Sequence, residues 1–238
     1  MQETIARLFA VGDIHGCVAE LDVLLAGLPA GEDDELVFLG DYLDRGPASA
    51  EVVDRLCSLA ATARRPPIFL RGNHEDMCLA FLGRGGRHGD AFLANGGMQT
   101  AQSYGVAGPV TPSSLDSAIP ARHLAFLEAT RRHHAHGSFL CVHAGIRPGV
   151  ALADQQERDL FWIRSDFIAA PHGLGCTVVF GHTPVHEVIV DLPYKIGIDT
   201  GCVYGGYLTA IELPSGRLFQ VRRGSGEVVT SMLPRGDT

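Results

Sequence analysis

Three short apolar runs, each ending just before a glycine and a cluster of acidic or imidazole side chains, constrain the fold most. The runs cover residues 8–11, 36–39 and 68–70. Short runs rich in branched and aromatic residues predict buried strands. A stretch with helical spacing follows each run, so the first third of the chain predicts alternating strands and helices. In such α/β folds, ligands bind at the carboxyl ends of the parallel strands.

Side chains that could bind metal follow five of the predicted strands, because two further apolar runs, at residues 139–142 and 177–181, end next to a histidine. The combined set is rich in oxygen and imidazole and has no thiolate: Asp13, His15, Asp41, Asn73, His143 and His182. Such donors suit two hard or borderline divalent ions, such as Mn, Fe or Zn, better than they suit a structural cysteine-type zinc site. Asp41 is the predicted bridge, because a carboxylate can give one oxygen to each ion.

These strand ends form five ordered blocks that resemble a known signature. The blocks are D-x-H from Asp13, G-D-x-x-D-R-G from Gly40, G-N-H-E from Gly72, H-A-G from His143 and G-H-T from Gly181. They resemble the calcineurin-like metallophosphoesterases, and among these the phosphoprotein phosphatases, particularly the short bacterial and phage members. The resemblance runs from about residue 9 to residue 206. It implies an α/β fold in which a two-sheet β-sandwich is flanked by helices, the four-layer metallophosphoesterase sandwich.

The resemblance also implies how the metal ligands are shared. The first ion is expected on Asp13, His15 and Asp41. The second ion is expected to share Asp41 and to be completed by Asn73, His143 and His182. Two divalent ions are therefore the expected cofactor, with Mn²⁺ favoured and Fe or Zn as alternatives.

Four further residues have expected roles in the reaction. His74 resembles the family's general acid, and a hydrogen bond that it donates to Asp44 is expected to orient it and raise its pKa. Arg45 and Arg164 resemble phosphate-binding residues, since a guanidinium offers a fork of donors to phosphate oxygens. For Arg71, a structural role and a substrate-facing role are equal alternatives.

The leading functional prediction is a metal-dependent phosphomonoesterase, a serine/threonine protein phosphatase-like enzyme that also accepts small aryl phosphates. By resemblance, a hydroxide that bridges the two metals attacks phosphorus. Asp44 favours this prediction, because the family's symmetrical diadenosine-tetraphosphate hydrolases usually have a neutral residue at that position. The alternative is such a symmetrical dinucleoside polyphosphate hydrolase. A fold kept only as a binding scaffold is a third possibility, although this chain has lost none of the expected ligands.

Length and composition set the remaining expectations. The 238 residues are interpreted as one domain, 1–238, because the blocks span most of the chain. The net charge of −8 argues against nucleic acid as a partner. No apolar run approaches the roughly 20 residues that span a membrane. Six cysteines without a C-x-x-C pair, and a first strand near residue 8 that leaves no room for a signal peptide, predict a cytoplasmic protein. A phosphorylated protein or a small phosphate ester is the expected partner, and the oligomeric state stays open.

Residues 83–135 are predicted to be a largely helical insert beside the site and a source of substrate selectivity. At its end the run Arg131-Arg132-His133-His134-Ala135-His136 suggests a metal site. A solvated helix end is the favoured interpretation, because cations are stabilised at a helix C-terminus. Residues 188–222 are predicted to be rich in strands, and residues 225–238 to form a loose tail.

Overall fold

A computed structural model of the protein describes residues 7–234 and contains two mixed β-sheets. The six strands of the first sheet are, in spatial order, β11 (Val229–Met232), β10 (Arg217–Arg222), β9 (Tyr207–Leu213), β1 (Leu8–Val11), β2 (Glu35–Phe38) and β3 (Ile68–Phe69). The five strands of the second sheet are, in spatial order, β4 (His133–His136), β5 (Phe139–Val142), β6 (Thr177–Phe180), β8 (Lys195–Gly197) and β7 (Ile189–Asp191).

Helices cover the outer faces of the two sheets and form the insert. The helices are α1 (Val18–Gly27), α2 (Ser49–Thr62), α3 (Asn73–Phe81), α4 (Gly97–Ser103), α5 (Pro112–Ala118), α6 (Ala121–Glu128), α7 (Glu157–Trp162) and α8 (Ser165–Ile168). Short 3-10 turns lie at Gly89–Ala91, Leu93–Asn95, Leu152–Asp154 and Cys202–Tyr204. Across residues 7–234, none of the helices combines the length and the apolar character needed to span a bilayer.

Alternation along the strands builds the layers. In β1, Phe9 and Val11 pack beneath α1 and α2, whereas Leu8 and Ala10 face the second sheet. The second sheet repeats this arrangement, with Val179 facing inward and Phe180 packing beneath α7 and α8. The result is helix, sheet, sheet, helix, which confirms the predicted two-sheet sandwich flanked by helices.

Parallel pairing brings the motif blocks to one rim. Strands β1, β2 and β3 are parallel to one another, and β5 is parallel to β6. Their carboxyl ends therefore lie at shared sheet edges, where the loops after each strand carry the polar clusters. This is the arrangement that the strand-end pattern predicted.

Three sequence predictions were wrong at their boundaries. The third helix, which the sequence pattern predicts over residues 76–82, begins at Asn73, so this expected metal ligand lies in its first turn. Residues 133–136 form edge strand β4 and not a helix end, because α6 stops at Glu128. The predicted insert 83–135 is largely helical, but its last residues already belong to this strand.

The predicted loose tail contains a strand. Residues 229–232 form β11, which pairs antiparallel with β10. The last residues of that prediction, 235–238, lie outside the described part of the chain. The interpretation of residues 1–238 as one domain stays a prediction.

Candidate dinuclear metal centre

The polar residues at the rim are held in backbone conformations that side chains rarely adopt. Within residues 7–234, five of the six non-glycine residues with positive φ belong to the motif blocks: His15, Asp41, Asp44, Arg45 and His182. Each such residue costs on the order of 1–3 kcal/mol and persists only where surrounding contacts hold it. Backbone strain is thus concentrated at the rim, as is common where a site must be held in a fixed geometry.

The donors expected for the second ion converge on one point. Asn73 Oδ1 lies 3.0 Å from His143 Nε2 and 2.8 Å from His182 Nδ1. Asp41 Oδ1 lies 3.4 Å from the same His143 nitrogen. The other nitrogen of His143, Nδ1, is 2.9 Å from the Leu39 carbonyl, so it donates there and leaves the Nε2 lone pair facing Asp41. Backbone contacts therefore fix the imidazole in the form that a metal requires.

The donors expected for the first ion lie on the other side of Asp41. His15 Nε2 is 3.4 Å from Asp41 Oδ2, while its Nδ1 donates to the Leu43 carbonyl at 2.7 Å. The Asp13 carboxylate accepts the backbone N–H of His182 at 3.0 and 3.1 Å. A Cβ on Gly181 would lie 2.1 Å from Asp13 Oδ1, so only glycine allows this approach. Asp41 thus has one carboxylate oxygen facing each ligand group.

The charges in the centre match what a divalent ion would neutralise. Burial, together with Asp199 and Asp41, raises the pKa of Asp13, and burial raises the pKa of Asp199 to about 6. Burial lowers the pKa of His15 to about 3 and also lowers that of His182. The low histidine pKa values keep the imidazoles neutral, as metal ligands must be, and a bound ion would displace the proton that the raised pKa favours on Asp13. The donor set therefore fits two divalent ions, each with oxygen and nitrogen ligands.

His74 and Asp44 form a buried pair at the edge of this centre. His74 Nδ1 lies 2.6 Å from Asp44 Oδ2, and both side chains are fully buried. Burial lowers the pKa of His74, but the Asp41 and Asp44 carboxylates outweigh it and the net direction is upward. The other nitrogen, Nε2, has no hydrogen-bond partner and lies 3.9 Å from Asp41 Oδ2. The pair can therefore present an imidazole proton to a group bound in the centre.

Two residues without an assigned role in the sequence analysis hold this machinery in place. Glu75, which is fully buried, accepts the backbone N–H groups of Asp41, Tyr42 and Gly72 at 2.8 to 2.9 Å. Its position in the G-N-H-E block was the only signal in the sequence. Thr100, from the insert, donates to Asp44 Oδ1 at 2.6 Å, and no sequence pattern pointed to it.

The three arginines considered from the sequence occupy different positions. Arg45 lies in the centre, with Nη1 2.7 Å from His15 Nε2. Arg164 is exposed, and its charge contributes to the lowered pKa of His143 and His182, so it lies within electrostatic reach of the centre. Arg71 donates to Thr130 Oγ1 and to the Glu128 carbonyl, which assigns it to packing against the end of α6.

Comparison with known proteins defines the class of this fold and site. The sequence profile of the calcineurin-like phosphoesterase family matches residues 6–210. The chain therefore belongs to the calcineurin-like phosphoesterases, a family of hydrolases that use a dinuclear divalent metal site. This confirms the family expected from the five blocks.

Individual relatives refine the comparison. The chain is 29% identical over 230 residues to the asymmetrical bis(5'-nucleosyl)-tetraphosphatase PrpE of Bacillus thuringiensis strain Al Hakam, covering 86% of this chain and 89% of that protein. A crystal structure described provisionally as a diadenosine tetraphosphatase is similar in fold, with a TM-score of 0.69, 24% identity, and 93% and 96% of the two chains covered. A serine/threonine phosphatase from Saccharomyces cerevisiae shares the fold with a TM-score of 0.61 and 14% identity, covering 99% of this chain and 82% of that one.

Proposed function

We propose that this protein hydrolyses dinucleoside polyphosphates at a dinuclear divalent-metal centre, cutting the polyphosphate chain asymmetrically. The relatives named asymmetrical bis(5'-nucleosyl)-tetraphosphatase support this substrate class. These relatives favour the alternative prediction from the sequence, a dinucleoside polyphosphate hydrolase, over the leading prediction of a protein phosphatase. One detail changes, because the cleavage proposed here is asymmetrical. Asp44 argued against a symmetrical hydrolase, and that argument does not apply to an asymmetrical one.

The structural observation that carries the proposal is an aromatic platform beside the centre. Tyr204 is 62% exposed, and the Arg45 guanidinium lies 5.6 Å from the centroid of its ring. The two residues border an open pocket of about 560 Å³ that is also lined by insert residues between positions 93 and 99. An exposed ring next to a phosphate-binding arginine offers a stacking surface for a nucleobase whose phosphates lie in the centre.

The metal ligands are assigned as the sequence resemblance implied. Asp13, His15 and Asp41 would hold one ion, and the second would be held by Asp41, Asn73, His143 and His182. When bound, two such ions polarise a phosphate and supply a nucleophile at neutral pH. The mixed oxygen and imidazole donors favour Mn²⁺, with Fe or Zn as alternatives.

The remaining chain residues bind the phosphate and handle the proton. Arg45 and Arg164 neutralise phosphate oxygens, and Arg45 must leave His15 Nε2 before that nitrogen can bind an ion. His74 Nε2 faces the centre and protonates the departing oxygen, while Asp44 keeps the ring oriented through its 2.6 Å contact. In a polyphosphate the departing group is itself a phosphate and needs less help from this acid than an alkoxide does.

A phosphorylated protein is the second candidate substrate, and the intact His74–Asp44 pair favours it. That pair suits the poor leaving group of phosphoserine or phosphothreonine. A cytoplasmic location is part of the proposal, since all six cysteines are free thiols, as expected in a reducing compartment.

The platform is tested by comparing Tyr204→Ala with Tyr204→Phe on diadenosine tetraphosphate and on a small aryl phosphate. Base stacking is worth about 1–3 kcal/mol, so Tyr204→Ala should raise KM for the dinucleotide about 5- to 150-fold and leave KM for the aryl ester unchanged. Tyr204→Phe should behave like the wild type. An equal rise in KM for both substrates would contradict a base-binding role.

A further inference from the structure

A second group of imidazole and carboxylate side chains lies away from the catalytic centre. Glu35 Oε2 is 2.8 Å from His134 Nε2 and 2.9 Å from His136 Nδ1. Glu35 is the first residue of β2, whereas the catalytic Asp41 follows the end of that strand. His136 pairs with Phe139, the first residue of β5, and His134 pairs with Cys141, two positions before His143. We call Glu35, His134 and His136 the sheet-end cluster.

The alternation of the strands creates this cluster. His134 and His136 are two residues apart in β4 and so project from the same face of the second sheet. Glu35 shares with Val37 the face of the first sheet that packs against the second. The three side chains therefore meet at the edge of the inter-sheet core and link the two sheets through side chains.

We propose that the sheet-end cluster is a further metal site, which binds a zinc-class divalent ion and ties the two sheets together. Two imidazoles and one carboxylate are a common zinc ligand set, and a tetrahedral ion with these ligands keeps one position for water. With bonds of about 2.0–2.2 Å, donors on one zinc ion lie roughly 3.3 Å apart. Each histidine needs to withdraw only about 0.5 Å from Glu35 to reach that spacing.

A neighbouring arginine and partial exposure complete the surroundings of the cluster. Arg65 already forms an ion pair with Glu35 through the other carboxylate oxygen, Oε1. The side chains of Glu35, His134 and His136 are 10%, 18% and 19% exposed, so the cluster is largely shielded but still reachable from solvent.

The test is the zinc content of metal-stripped protein equilibrated with micromolar free zinc, measured by mass spectrometry of the metal. The double variant His134→Gln/His136→Gln should bind one zinc ion fewer per chain than the wild type. His133→Gln is the matched control, because residue 133 lies on the same strand with its side chain on the opposite face, and it should keep the wild-type content. Because the test compares the zinc content of the double variant with that of the wild type, the result does not depend on how many ions the catalytic centre holds.

A second measurement uses the unaltered chain, in case the double variant does not fold. In two-bond ¹H–¹⁵N spectra of the imidazoles, the ¹⁵N chemical shifts of His134 Nε2 and His136 Nδ1 should change on addition of zinc. The change should saturate when one zinc ion has been added per sheet-end cluster, beyond the ions taken up by the catalytic centre. Equal zinc content in wild type and a folded double variant would overturn the proposal. So would imidazole signals that respond only at millimolar zinc.

Discussion

The catalytic centre and the sheet-end cluster use the same kinds of side chain and share only strand β2, but they are built differently. In the centre, the expected ligands follow the strands, in loops or, for Asn73, in the first turn of α3, and His15, Asp41 and His182 have positive φ. In the sheet-end cluster, the histidines lie within a regular edge strand and Glu35 begins another. The centre therefore depends on many supporting contacts, whereas the cluster follows from strand alternation alone.

The two regions also differ in how their charge is balanced. The carboxylates of the centre are buried together, and burial with neighbouring carboxylates raises the pKa of Asp13 and Asp199, whereas the histidines around Asp41 outweigh burial and lower its pKa. In the sheet-end cluster, Arg65 offsets the single carboxylate, and the pKa of Glu35 is lowered by its histidine and arginine neighbours despite the opposing effect of burial. A divalent ion is thus needed to neutralise the carboxylates of the centre. In the sheet-end cluster the ion would add positive charge to a carboxylate that Arg65 already offsets. We therefore expect the centre to bind its ions more tightly.

The largest expected effect separates the two regions directly. Asp41→Asn should remove both ions of the centre and lower kcat by at least about 10³-fold, because several kcal/mol of metal-derived stabilisation are lost. The same variant should keep the zinc ion of the sheet-end cluster. Metal content and steady-state rates provide the check, with the exposed Asp33→Asn as the control variant. Normal occupancy of the centre in Asp41→Asn would refute the bridging role.

A smaller effect is expected for a histidine of the centre that is not a ligand. His74→Asn should leave metal content unchanged in both regions and slow the hydrolysis of alkyl phosphates by about 10²–10⁴-fold. Dinucleotides and aryl phosphates should be slowed less, because their leaving groups need less protonation.

The pH profile provides a second readout for His74. Its raised pKa keeps the acid form present to higher pH, so kcat for alkyl phosphates should fall on the alkaline side in the wild type. This fall should be absent in His74→Asn. Equal losses for good and poor leaving groups would count against His74 as the acid.

The smallest effect concerns the sheet-end cluster alone. Arg65→Gln removes the positive charge beside Glu35 and should raise zinc affinity there up to about fivefold, since partly exposed ion pairs are worth up to about 1 kcal/mol. Catalytic rates should not change. Zinc titration of Arg65→Gln and of the matched surface variant Arg64→Gln tests this. Weaker binding in Arg65→Gln would mean that the arginine orients Glu35 rather than competing with the ion.

Prediction from sequence succeeded where local pattern and topology coincide. Apolar runs indicated the parallel strands, and parallel strands bring the residues that follow them to one edge. Asp13 and Asp41 could therefore be placed together from the amino-acid pattern, whereas His143 follows a strand of the second sheet and joins them where the two sheets meet. The strand at residues 133–136 was missed because its pattern is polar on both faces and suited a helix end equally well. The contact of Thr100 with Asp44 joins residues 56 positions apart, and no local pattern predicts such a pairing.

The central claim is most directly tested by analysing the products from diadenosine tetraphosphate. The metal-stripped protein would be reloaded with manganese and incubated with the dinucleotide and, separately, with a phosphothreonine peptide. Asymmetrical cleavage predicts AMP and ATP in equal amounts, with a higher kcat/KM than for phosphate release from the peptide. Two molecules of ADP for each dinucleotide, or a preference for the peptide, would contradict the proposed function.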